Sequence, residues 1–243
     1  MTRAPFICPR DFGQIFRAEW TKFRTLPGLP WLVFLLVVLT VGTGAAATAL
    51  VPCCDVLPSR VSLAGVQAGQ IGAVALAVGV MAGEYSSGMI LVSLLAVPGR
   101  GLLLAAKVLI VGGATLAGAV VAVSVSALIG PGATATAFFG SIAYLVLVSL
   151  LALGVAAAVR DTAVAMGVTL GILYGFPLVI RMLGDPVWQE RLAWISPMEA
   201  GMAVQGGVPL IGPWAGLAVV TGWVVGALVI GRLRVGRSVG AVV

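Results

Sequence analysis

Six stretches of about twenty residues carry no Asp, Glu, Lys or Arg: Trp31–Val51, Val61–Gly83, Val108–Gly130, Ala133–Val159, Thr162–Ile180 and Ile211–Gly231. Nothing else in the chain constrains its fold as strongly. A helix rises ~1.5 Å per residue, so each stretch matches the roughly 30 Å hydrocarbon core of a bilayer. A helix also pairs its own backbone N–H and C=O groups, which lipid cannot do. Composition agrees: 9% of the residues are charged, against roughly 25% in a soluble domain. The third and fourth stretches together are too long for one crossing, and Pro131-Gly132 between them is a turn signal. The expected fold is all-α and integral to the membrane, with a six-span domain over 31–231.

Charge placement sets the orientation. With the N-terminus inside, the outer segments hold only Arg60, Arg181 and Arg191 of the fourteen Lys and Arg. The positive-inside rule then puts both termini, including the basic tail 232–243, in the cytoplasm. The net charge of +6 is therefore a topology signal. It offers no soluble basic face with aromatics for nucleic acid.

The N-terminal arm, 1–30, is too polar to span. It is also too long for the charged lead of a signal peptide. Within it, Asp11–Arg24 is predicted to be an amphipathic helix lying in the membrane interface. Phe12, Ile15, Phe16, Trp20 and Phe23 share one face, and Arg17, Thr21 and Arg24 lie on the other. Glu19 falls inside the apolar stripe, where a carboxylate needs a cationic partner. Pro27 and Pro30 then break the helix.

Between the second and third stretches, Gly83–Lys107 is a mostly apolar inner segment; Met89–Val97 contains one polar side chain, Ser93. Exposed apolar area marks a partner surface. The loop 84–101 is accordingly predicted to hold a short cytoplasmic helix on which another protein pushes. The outer segment 181–210 is too charged to span twice and too apolar to be a solvated loop. Trp188–Gln205 is predicted to form one or two short helices, broken at Ser196-Pro197, that re-enter the outer leaflet with tryptophans at the interface.

Cys8 is expected inside, and Cys53 and Cys54 just outside. A bond between adjacent cysteines is disfavoured, since neighbouring Cα atoms are ~3.8 Å apart and disulfides need about 4.4–6.8 Å. Free thiols and a bond between two copies both stay open. Gln67 and Gln70 are placed on one face of the second stretch, where they line a path or pack helices. Gly167, Gly171 and Gly175 recur at every fourth position of the fifth, and Gly212/Gly216 and Gly222/Gly226 share that spacing in the sixth. Such spacing lets helices approach closely, so the triple is a candidate helix-packing or dimer face.

The missing residues exclude much. There is no histidine, hence no Ser-His or Cys-His pair and no His-rich zinc site. The six stretches hold no acid for proton or cation coupling. No P-loop sequence is present to bind ATP. No catalytic residue, metal or cofactor is assigned to this chain. A channel or carrier without an ATPase stays open. So does a lipid-modifying membrane enzyme, for which Glu84 with Asp161 is a thin acidic basis.

The layout resembles the permease subunit of a bacterial ATP-binding-cassette exporter of the type-2 class. Arg17-Ala18-Glu19-Trp20-Thr21-Lys22-Phe23-Arg24 is similar to the opening segment of many such permeases. Glu84-Tyr85, Gly88-Met89, Leu94, Pro98, Arg100 and Lys107 resemble the family's loop after span two. Gly154 through Arg160-Asp161-Thr162 and the outer Ser196-Pro197 also fit. The resemblance implies that this loop is a coupling helix docked on an ATPase, with Glu84, Tyr85, Gly88, Met89, Ile90, Leu91, Leu94, Leu95 and Arg100 as the coupling residues. Glu84 would touch the ATPase or cap the helix N-terminus. Glu19, Trp20, Lys22 and Arg24 would lock the N-terminal helix to the loop, with Arg100, Lys107 or Arg160 as partner of Glu19. It further implies two P-loop ATPase subunits carrying ATP and Mg, and a second copy of the chain or a related permease. Spans one, two and five would lie near the dimer axis, with Gln67 and Gln70 along the path. The expected setting is the bacterial plasma membrane, and the expected cargo hydrophobic or amphipathic: a drug, antibiotic, peptide or lipid-like molecule.

Overall fold

The computed structural model describes residues 9–26, 28–50, 58–86, 100–130, 132–182, 185–206 and 212–237. Among them every regular element is helical. In chain order these are α1 (Pro9–Thr25), α2 (Gly28–Leu50), α3 (Pro58–Ser62), α4 (Gly65–Ser86), α5 (Arg100–Ile129) and α6 (Ala135–Val159). There follow α7 (Thr162–Leu170), a π turn (Gly171–Gly175), α8 (Phe176–Met182), α9 (Pro186–Ile195), α10 (Pro197–Met202) and α11 (Pro213–Arg237). Six stretches are long and apolar enough to cross a membrane, so by length and composition the chain is a multi-pass membrane protein.

The bundle is organised around α6. Its Tyr144, Leu145, Val148, Ala152, Leu153 and Ala156 are fully buried, packed by α4, α5, α7 and α11. Small residues set the closest approaches. A Cβ on Gly154 of α6 would lie 2.7 Å from the Ala227 carbonyl carbon of α11, and one on Gly72 of α4 would lie 2.6 Å from Leu36 Cα of α2. Gly65, Gly69 and Gly72 thus seat α2 on α4. This small-residue stripe is the packing device in use, whereas a Cβ on Gly167, Gly171 or Gly175 would meet nothing within 4 Å. Within the chain the glycine triple of span five is therefore no packing face.

Helix boundaries follow local chemistry. Thr134 caps α6 by accepting from Ala137 N at 3.2 Å. Asp161 caps α7 from Val164 N at 2.8 Å. Asp185 and Ser196 cap α9 and α10, each with Pro at the first helical position. Arg160 stops α6 in the left-handed region, at φ 65°. That conformation costs a non-glycine residue ~1–2 kcal/mol, and Gly132 takes it freely in the turn before α6.

Several boundaries differ from the sequence reading. Span three opens at Arg100 rather than Val108, since Gly101–Lys107 is helical. Lys107 therefore lies two turns inside a helix. A turn at Leu63–Ala64 splits the second uncharged stretch into α3 and α4. The expected basic tail is helical through Arg237. The break before span six falls at Ser196, but Pro197, Met198, Ala200 and Ala203 are buried in the bundle rather than open to lipid. Irregular backbone at that depth is tolerated because protein surrounds it. Trp188 and Trp194 stay exposed. The three cysteines lie outside the described residues.

Candidate functional site

At the basic end of the bundle the helices α1, α4 and α5 meet on one ammonium group. Lys107 Nζ lies 2.9 Å from Glu19 Oε2 and 3.5 Å from the Val80 carbonyl of α4, to which it donates. Lys22 Nζ lies 3.1 Å from the other carboxylate oxygen of Glu19. The Lys107 and Glu19 side chains are 1% and 7% exposed, that of Lys22 32%. Burial by itself would raise the Glu19 pKa, but Lys107 and Lys22 more than offset it and hold it below its ordinary value of 4.5. Around this pair Ile15, Leu103 and Ala106 form a small apolar cluster with Phe12 and Leu102. It shields the charges and seats α1 on α5.

The wide stripe of α1 therefore serves two surfaces. Phe12, Ile15 and Glu19 face the protein. Phe16, Trp20 and Phe23 stack outward, with ring centroids 6.5 and 6.0 Å apart. Trp20 and Arg24 are exposed, so the contact with α5 is made by Glu19, with Lys22 alongside. Arg160 is not the partner of Glu19: its guanidinium donates to the Arg234 carbonyl of α11. Arg100 is the first residue of α5; its side chain lies outside the described residues, as do those of Glu84 and Tyr85. Gly88, Met89, Ile90, Leu91, Leu94 and Leu95 lie wholly outside them. Glu84 falls in the last turn of α4. The segment whose N-terminus it was expected to cap lies outside the described residues.

The core holds a second polar arrangement. Tyr144 donates to Gln70 Oε1 at 2.6 Å, and Gln70 Nε2 points at Met198 Sδ at 3.7 Å. This joins α4, α6 and α10. Gln205 Nε2 donates to the Leu63 carbonyl at 3.2 Å and to Ser141 Oγ at 3.0 Å, while Ser59 donates to the Gln205 carbonyl at 3.1 Å. Gln67 and Gln70 do not share a buried face: Gln70 is fully buried, Gln67 exposed. The backbone carbonyl of Gln67 accepts from Tyr174, which lies in the π turn of span five. Sequence reasoning missed Gln205, Ser59 and Tyr144 because single polar residues in apolar stretches are uninformative without their partners. An intact hydrogen-bond set of this kind holds helices in lipid. Of the two glutamines of α4, Gln67 is the one with an exposed side chain.

No metal-binding group of three or more His, Cys, Asp or Glu occurs among the described residues. No family model matches the sequence, and no curated protein is significantly similar to it.

Proposed function

We propose that this chain is the permease subunit of an ATP-binding-cassette exporter, driven by separate P-loop ATPase subunits that push on the segment around Glu84–Arg100. One observation carries the reading. Lys107 ties α1, α4 and α5 together, and α4 and α5 are the two helices that flank the 87–99 segment. Lys107 lies about 10 Å up α5 from its first residue, at a 1.5 Å rise. A force on the segment therefore reaches one polar node before it reaches the bundle. The N-terminal helix moves with both flanking helices rather than trailing behind them.

Two further features support the reading. Only 17% of the α2 span, and 28% of each of the fifth and sixth, is buried, against 67% for the span containing α4. The open glycine face of span five and the exposed side chain of Gln67 both suit a second permease that completes the path. The apolar surfaces suit a hydrophobic or amphipathic cargo.

The test is coexpression with a candidate ATP-binding-cassette ATPase subunit from the same source. Copurification is expected, with ATP hydrolysis accelerated by the permease and the acceleration lost when Met89–Leu95 are changed to alanine. Substrate flux from the purified chain without any ATPase would instead indicate a channel or carrier. Stimulation unchanged by the alanines would remove the coupling role.

A further inference from the structure

We propose that the groove between α6, α7 and α11 holds one acyl chain of an anionic phospholipid, with the phosphate seated on Arg160 and Arg234. The groove has a volume of about 630 Å³ and is lined by Val159, Val168, Ile172, Trp223, Gly226 and Ile230, among others. From Val219 to Ile230 it follows α11 for about 16 Å, which is one leaflet of a ~30 Å core. Along α11 it is centred on the middle of the helix, with Ile230 at the end nearer the basic residues.

The charges at its mouth favour an anionic lipid over a neutral one. On α11, Trp223, Gly226, Ala227 and Ile230 share one face, and Arg234 follows one turn beyond Ile230 on that face, exposed. Arg160 directly follows Val159. Its guanidinium reaches across to the Arg234 carbonyl. Its Nε is buried without a hydrogen-bond partner. Arg160 as a whole is only partly buried, so the rest of its guanidinium offers a phosphate oxygen a charge-assisted donor at the mouth of the groove. The nearby acid, Asp161, is engaged in capping α7. Arg232 points elsewhere, toward Gly101 of α5. Trp223 fixes the far end by donating to the Ile195 carbonyl at 3.0 Å.

The test uses the purified full chain in detergent, titrated with bromine-labelled dioleoyl phosphatidylglycerol or the equivalent phosphatidylcholine. The readout is the part of the tryptophan quenching that disappears in Trp223→Phe. Phosphatidylglycerol should bind more tightly than phosphatidylcholine by about tenfold or more, and Arg234→Gln should remove about fivefold, near an anionic headgroup contact of ordinary strength. Gly226 faces open space, so Gly226→Phe fills the groove without displacing a helix. It should abolish quenching by both lipids while the melting temperature is kept. Equal affinity for the two lipids would overturn the proposal. So would full competition by glycerol 3-phosphate alone, which lacks the chain. Disulfide crosslinking of two copies through Gly226→Cys in the membrane would show the groove to be filled by a second permease instead.

Discussion

Replacing Lys107 by Met removes the cation from a site that excludes water almost completely. The Glu19 carboxylate is then left in a low-dielectric pocket, and the Val80 carbonyl loses a donor. Breaking a buried pair by removing one partner typically costs about 3–5 kcal/mol. Lys22 is a control on the same carboxylate. Its side chain is 32% exposed, solvent screens the contact, and Lys22→Met should cost about 0–1 kcal/mol. Replacing both members of the buried pair, Glu19→Leu with Lys107→Met, should restore most of the loss, because apolar substitutes of similar volume are often neutral there. With Glu19→Leu alone as the fourth species, the cycle should therefore show a coupling of about 3 kcal/mol or more. Equilibrium unfolding of the purified protein in mixed micelles, with rising dodecyl sulfate fraction, measures all four species. Equal losses for Lys107→Met and Lys22→Met, or a double variant as unstable as the sum of the singles, would refute the reasoning.

Other outcomes follow from the same structure. Because Glu19 titrates below its ordinary value when folded, its contribution is present above that value and is lost only as pH falls through the lower, folded one. Wild-type and Glu19→Gln unfolding curves should run parallel from pH 8 to about 5 and converge only in stronger acid. Tyr144→Phe leaves the fully buried Gln70 with an unpaired carbonyl, and should lower stability in the same assay by about 1–3 kcal/mol. Gly72→Ala drives a methyl into the α2 backbone and should cost about 1–3 kcal/mol. Gly171→Ala, which meets nothing within the chain, should leave the monomer unchanged and weaken crosslinking between copies if span five faces a second permease.

How much of this is legible in the sequence depends on whether a feature is local. Uncharged length predicts the spans because lipid imposes it segment by segment. Glu19 is visible as an anomaly because its place in the apolar stripe depends only on helical periodicity. Its partner is not visible. Arg100, Lys107 and Arg160 are equivalent by charge, and the choice turns on α5 opening two turns before Lys107, a boundary that the start of the uncharged stretch at Val108 does not mark. The glycines teach the same lesson from the other side. Spacing singles out Gly167, Gly171 and Gly175, which meet nothing within the chain, while Gly72, Gly154 and Gly216 make close helix approaches whether or not they fall in a repeat, because a partner helix decides where a missing side chain is used. Gln205 and Ser59 are a long way apart in sequence and meet only once α10 folds back into the bundle.

The connection between α6 and α7 has no slack in it. Arg160 ends one helix and Asp161 caps the next, so no residue is left over to act as a flexible joint. Arg160 is also fastened to the last turns of α11. The start of span five is thereby bolted to α6 and to its neighbour α11. Nine residues later the regular ladder is interrupted by the π turn at Gly171–Gly175, where Leu173 is fully buried in the core and Tyr174 donates to the Gln67 carbonyl. Span five is thus held twice, at its start by Arg160 and Asp161 and again at the π turn, before α8 continues into α9 and α10.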